Sequence, residues 1–115
     1  MAKLVDQRCN PIRSDEPPLS EKEIKKHQSQ IPEWDIVERD GVPSLQRSFK
    51  VVDFNKALEF TNKIGRIAEE EDHHPVLIVR WGNVLVKWWT DAISNLSMND
   101  FIMAAKTDEI YAQRE

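Results

Sequence analysis

The chain has 115 residues, 40% of them apolar and 31% charged, enough for one modest core beneath a well-solvated surface. A net charge of −4 with no basic stripe argues against nucleic-acid binding by bulk electrostatics. No apolar run approaches the ~18 residues that a membrane span needs, and the opening Met1-Ala2-Lys3-Leu4-Val5-Asp6 lacks the apolar block of a signal peptide, so a cytoplasmic protein is expected.

Residues 1–18 mix charges with Pro11, Pro17 and Pro18 and show no apolar period, which predicts a flexible N-terminal segment ahead of a single domain over 19–115. Cys9, the lone cysteine, can form no intrachain disulfide or thiol metal pair and reads as incidental. Ser20 and Glu23 form a capping box, with Leu19 and Ile24 as its hydrophobic staple, and predict a helix from Glu21 to about Gln28. Trp34 to Arg39 reads as a strand, Asp40-Gly41 as a two-residue hairpin turn, and Ser44 to Lys50 as the partner strand, with Pro43 delaying its start or marking an edge. Asp53 is the N-cap of the main helix, whose buried stripe is expected along Phe54, Ala57, Leu58, Thr61, Ile64 and Ala68, ending near Glu70. Gly65 inside it costs roughly 1 kcal/mol against Ala, which close packing on a sheet would explain. Val76 to Trp81 is the most apolar strand, Gly82-Asn83 suits a type II′ turn, and Val84 to Thr90 returns. Ser97 caps a last helix, with Asp100 in its first turn facing the helix dipole and Leu96 and Phe101 as a second staple. The order α-β-β-α-β-β-α is an α+β pattern: a four-stranded antiparallel sheet with three helices on one face.

Phosphate loops, nucleophile elbows and thiol-enzyme pairings are absent from the sequence. The unusual constellation is Glu69-Glu70-Glu71-Asp72-His73-His74-Pro75, where the main helix gives way to the buried strand. Two readings stand side by side. In one, the cluster is a charged helix end, its histidines favouring the dipole. In the other, two imidazoles, which donate or accept protons near neutral pH, face one ligand from a turn fixed by the proline. Metal binding fits less well, since adjacent loop histidines rarely converge on one ion and no third His is near in sequence. Trp81, Trp88 and Trp89 could cover a flat ring, and because strand neighbours alternate, Trp88 and Trp89 must point opposite ways.

Glu69 upstream of His73-His74-Pro75, the aromatic Trp81 six positions later, the strand end Trp88-Trp89-Thr90 and the run Asn99-Asp100-Phe101-Ile102-Met103-Ala104-Ala105-Lys106 resemble the pterin-4a-carbinolamine dehydratases. Pro18-Leu19-Ser20, Trp34, Phe49, Phe54 and Ala57 extend the resemblance from about Pro17 to Ile110. It implies a lyase that dehydrates 4a-hydroxytetrahydropterin to quinonoid dihydropterin, recycling pterin cofactor by general acid–base catalysis, with no metal or bound cofactor. By motif match His73, His74 and the position of Asp91 would be catalytic, and Pro75, Trp81, Thr90 and Asp100 would join them around the substrate. The family usually carries a third histidine where this chain has Asp91, which puts the level of activity in question, because an ionised carboxylate only accepts hydrogen bonds. The resemblance also implies a homodimer or homotetramer. Some family members assist other proteins, so a non-catalytic binding or assembly module is the competing function.

Overall fold

The computed structural model describes residues 3–113. The elements follow the expected order: α1 (Glu21–Gln28), β1 (Asp35–Arg39), β2 (Val42–Lys50), α2 (Phe54–Glu71), β3 (Val76–Arg80), β4 (Asn83–Trp88) and α3 (Met98–Ala112). Short 3-10 turns occupy Leu4–Asp6 and Asp91–Ile93. The sheet is antiparallel throughout, in the order β1-β2-β4-β3. The register aligns Leu45 with Trp88, Phe49 with Val84, and Leu77 and Val79 with Val86 and Val84, so one face carries the large apolar side chains. That face is covered by α2 and α3, and α1 joins the same side, where His27 meets Phe101 with ring centroids 5.8 Å apart.

Local chemistry explains the boundaries. Ser20 Oγ accepts the Glu23 N–H at 3.2 Å while the Glu23 carboxylate accepts the Ser20 N–H at 3.1 Å. Asp53 caps α2 by accepting the Lys56 N–H at 2.8 Å. Asp40 and Gly41 both have positive φ, the requirement of a type I′ hairpin. β2 begins earlier than expected. Pro43 pairs with Glu38 of β1 and lies ahead of Leu45, where pairing to β4 starts, so its missing N–H costs no bond on that side.

Several expectations are corrected. The β3–β4 turn centres on Trp81-Gly82, with Arg80 paired to Asn83 and the positive φ at Gly82 in the second position, a type II rather than a type II′ pattern. The buried stripe of α2 keeps the expected Ala57, Ile64 and Ala68 but adds Phe60 and leaves Phe54 and Leu58 exposed, so it is narrower and shifted toward Phe60. Gly65 has open space where a Cβ would stand, so close packing does not explain it. Within the segment expected to be flexible, Leu4, Val5, Cys9 and Asn10 make contacts with the domain. Leu4 is fully buried, its N–H bonds Gln30 Oε1 at 2.9 Å, and Lys106 Nζ donates to the Val5 carbonyl at 2.9 Å. A single apolar anchor spaced by polar residues leaves no period to read.

Candidate active site

α2 ends on an Asp72 held in the left-handed conformation (φ 52°, ψ 44°), with the N–H groups of Asp72 and His73 both returning to the Ala68 carbonyl. Aspartate tolerates that conformation better than most residues. The sharp stop swings His73 and His74 off the helix before Pro75 leads into β3. β4 ends at Trp88, and a bridge between Thr90 and Asn95 closes the loop that carries Asp91. The two chain ends meet in a cleft of about 360 Å³ lined by His73, His74, Thr90, Asp91, Trp89 and Glu71, among others.

His73 is fixed on several sides. Its Nε2 lies 2.6 Å from Asp100 Oδ1, its ring stacks on Trp88 at 5.8 Å and 10°, and its side chain is 10% exposed. The second Asp100 oxygen accepts the Thr90 hydroxyl at 2.8 Å and the Ser97 N–H at 2.9 Å. Asp100 is fully buried, so these donors and the imidazole are what compensate its carboxylate. It binds His73 from behind and is not part of the cleft wall; the helix-start role read from sequence understates it. His74 is the freer partner, 54% exposed and 3.4 Å from Glu69 Oε1. Asp91 is exposed and accepts the Trp89 indole N–H at 2.7 Å.

The expected set is therefore partly assembled. His73, His74, Thr90 and Asp91 converge, and Asp100 supports them. Pro75 shapes the chain beside the cleft without lining it. Trp81 is not brought to this cleft: it sits in the turn at the far end of β3, 74% exposed. As alternation required, Trp88 enters the core and Trp89 faces the cleft. Sequence reading missed Glu71, Asn99 and the stretch Cys9 to Ile12, all of which line the cleft. Glu71 left a usable signal, since it continues the buried phase Ile64, Ala68 by a three-residue step. Among the described residues no group of three or more His, Cys, Asp or Glu is arranged to hold a metal.

Electrostatics distinguish two of the missed groups. Burial alone would raise the Glu71 carboxyl, but the Cys9 N–H and the Arg8 guanidinium outweigh it and hold it below the usual carboxylate range. Burial, then the nearby Glu71 and Asp100 charges, push the Cys9 thiol up to about 12, so it is no nucleophile at neutral pH.

Residues 17–110 match the family model described as pterin 4 alpha carbinolamine dehydratase. A relative from Microcystis aeruginosa, whose name refers to that dehydratase, is 46% identical over 114 residues, covering 99% of this chain and 98% of its own. One from Gloeobacter violaceus, named for the same dehydratase, is 51% identical over 110 residues, covering 96% of this chain and 95% of its own. Among solved structures, the transcriptional coactivator/pterin dehydratase from Brucella melitensis superposes with a TM-score of 0.74 at 31% identity, covering 82% of this chain and 98% of that one.

Proposed function

The chain belongs to the pterin-4a-carbinolamine dehydratase family, and from that premise we propose that it dehydrates a 4a-hydroxytetrahydropterin with His73 and His74 as its acid–base pair. The observation that carries the reading is the convergence of both histidines, with Asp91, on one open cleft. The reaction has no redox step. A proton goes to the 4a-hydroxyl, the C–O bond breaks and water leaves. The lone pair of a ring nitrogen forms the new C=N bond, and its N–H proton passes to a base.

The hydrogen bonding suggests which histidine does which. Donating Nε2–H to Asp100 leaves His73 in the tautomer whose Nδ1 is an acceptor, which suits the base. Asp100 is then a positioning residue that fixes the ring and its tautomer. His74, solvated and beside Glu69, suits the acid. Asp91 supports the pair as an acceptor for a pterin N–H. Self-association into a dimer or tetramer accompanies this reading. β1 and β3 are the edges of the sheet, and each exposes apolar side chains, Ile36 and Val37 on one and Val76 and Ile78 on the other. Among the described residues no helix is long and apolar enough to cross a membrane, and a cytoplasmic site of action belongs to the same proposal.

The competing reading, a module that acts on a protein partner, draws on Asp91 in the place of a histidine and on the similar Brucella melitensis protein being called a transcriptional coactivator as well as a pterin dehydratase. The decisive assay follows the dehydration of synthetic 6-methyl-4a-hydroxytetrahydropterin with the native protein and with Asp91→His. Acceleration by the native chain supports the enzyme. Activity in Asp91→His alone favours the module.

A further inference from the structure

The stretch just ahead of the family's matched span closes part of the histidine cleft, and the proton transfers make no use of it. Cys9, Asn10, Pro11 and Ile12 line the cleft beside His73 and His74, while the family model begins at residue 17. Two side chains hold this stretch, and both line the cleft themselves. Glu71, only 6% exposed, accepts the Cys9 N–H at 2.7 Å on one oxygen and the Arg8 guanidinium at 2.5 Å on the other. Asn99, also buried, accepts the Asn10 N–H at 3.0 Å and returns its own amide to the Asn10 carbonyl at 2.7 Å, as a neighbouring strand would. Upstream the strap is pinned by Leu4, and downstream the Leu19 N–H bonds the Leu96 carbonyl at 3.4 Å.

Anchorage alone does not account for this arrangement. Glu71 occupies a position on the buried phase of α2 that an apolar side chain would fill without desolvating a charge, whereas a desolvated carboxylate must be offset by its bonds. Those bonds fix one thing, the course of the backbone from Arg8 to Asn10 along the cleft. Asn99 consumes the polar backbone atoms of Asn10, so at that residue the strap backbone offers the ligand shape rather than hydrogen bonds. Pro11, Ile12 and Trp89 supply apolar wall, and His73, His74 and Asp91 supply the polar wall.

We propose that residues 8–12 form a substrate-contacting strap, and that Glu71 and Asn99 are positioning residues that determine which pterins the cleft admits. This rests on the dehydratase reading. A compact ring substituent fits beneath the strap, and a bulky one meets it. Holding the strap lowers KM for compact substrates and leaves the proton transfers to the histidines.

The test has two arms. Kinetics on 6-methyl-4a-hydroxytetrahydropterin should show KM raised about tenfold in Glu71→Ala and Asn99→Ala with kcat within about twofold of native, the pattern of lost uniform binding. Glu71→Gln, which keeps an acceptor for the Cys9 N–H, should restore most of that loss. The second arm needs no variant: hydrogen exchange on the native protein saturated with 6-methyl-7,8-dihydropterin should slow at the Cys9, Asn10 and Ile12 amides. An unchanged KM in both alanine variants, or unchanged exchange at those amides with the probe bound, overturns the strap while leaving the dehydratase in place. If the native protein neither binds the probe nor dehydrates the substrate, the dehydratase reading fails and the strap falls with it.

Discussion

The β3–β4 hairpin carries tryptophans at both ends, and the two ends have opposite fates. At the turn, Trp81 stands 74% exposed beside Gly82. At the open end, Trp88 is fully buried against the His73 ring, and Trp89 faces the cleft and bonds Asp91. Composition does not separate them. What does is the neighbour each end meets: the open end abuts the stop of α2 and the start of α3, and at the turn end the Gly82 carbonyl accepts the Val51 N–H. Six positions separate Pro75 from Trp81, and at ~3.3 Å per residue an extended strand carries that ring about 20 Å from the histidines. An aromatic at a suggestive spacing becomes part of a site only when the fold returns it there.

That contrast can be broken from the open end. His74→Ala should slow dehydration by roughly 10²–10⁴-fold, the usual weight of one well-placed acid or base. Its melting temperature should hardly move, because the side chain is half in solvent. Asp100→Ala should act on both activity and stability. It strips a buried acceptor from His73, Thr90 and Ser97, and urea unfolding should show a loss of about 2–4 kcal/mol alongside a fall in turnover.

The strap gives the same end a pH signature. The folded pKa of Glu71 lies below its ordinary 4.5. Its contribution to holding the strap is therefore complete above that value and is lost as pH falls through the depressed one. The protection of the Cys9 and Asn10 amides, taken relative to their intrinsic exchange rate at each pH, should fall on acidification below about pH 4.5, before the core strands open. Glu71→Gln should remove that acid-induced step. At the other end of the hairpin, Trp81→Ala should change stability by less than about 0.5 kcal/mol and leave dehydration untouched. A large effect there would bring the turn back into the account.

Sequence patterning carried most of the architecture because the signals were local and redundant. The box at Ser20 and Glu23, the cap at Asp53 and the turn at Asp40-Gly41 each formed with the bonds or dihedrals anticipated. The edge of the α2 stripe was misjudged because Phe54 and Leu58 are as apolar as Phe60, and only packing against α3 and the sheet decides which of them is buried. Of the candidate cleft, His73 and His74 were legible as consecutive residues, and Thr90 and Asp91 entered only through the family resemblance. The cleft was illegible where contact is made across the chain. Cys9 meets Glu71 and Asn10 meets Asn99 through one backbone bond or two, and neither pairing leaves a period or a motif. Asp100 belongs between the two cases: its place in the first turn of α3 was visible, but its bond to His73 was not.

The central claim is that two histidines brought together at the stop of α2 carry the proton transfers. It is tested most directly by comparing native protein with a His73→Gln, His74→Gln double variant in the dehydration of 6-methyl-4a-hydroxytetrahydropterin. The account predicts a double variant that still folds, melts below the native temperature because buried Asp100 loses the His73 imidazole, and is slower by at least ~100-fold. Equal rates in the two proteins would contradict it.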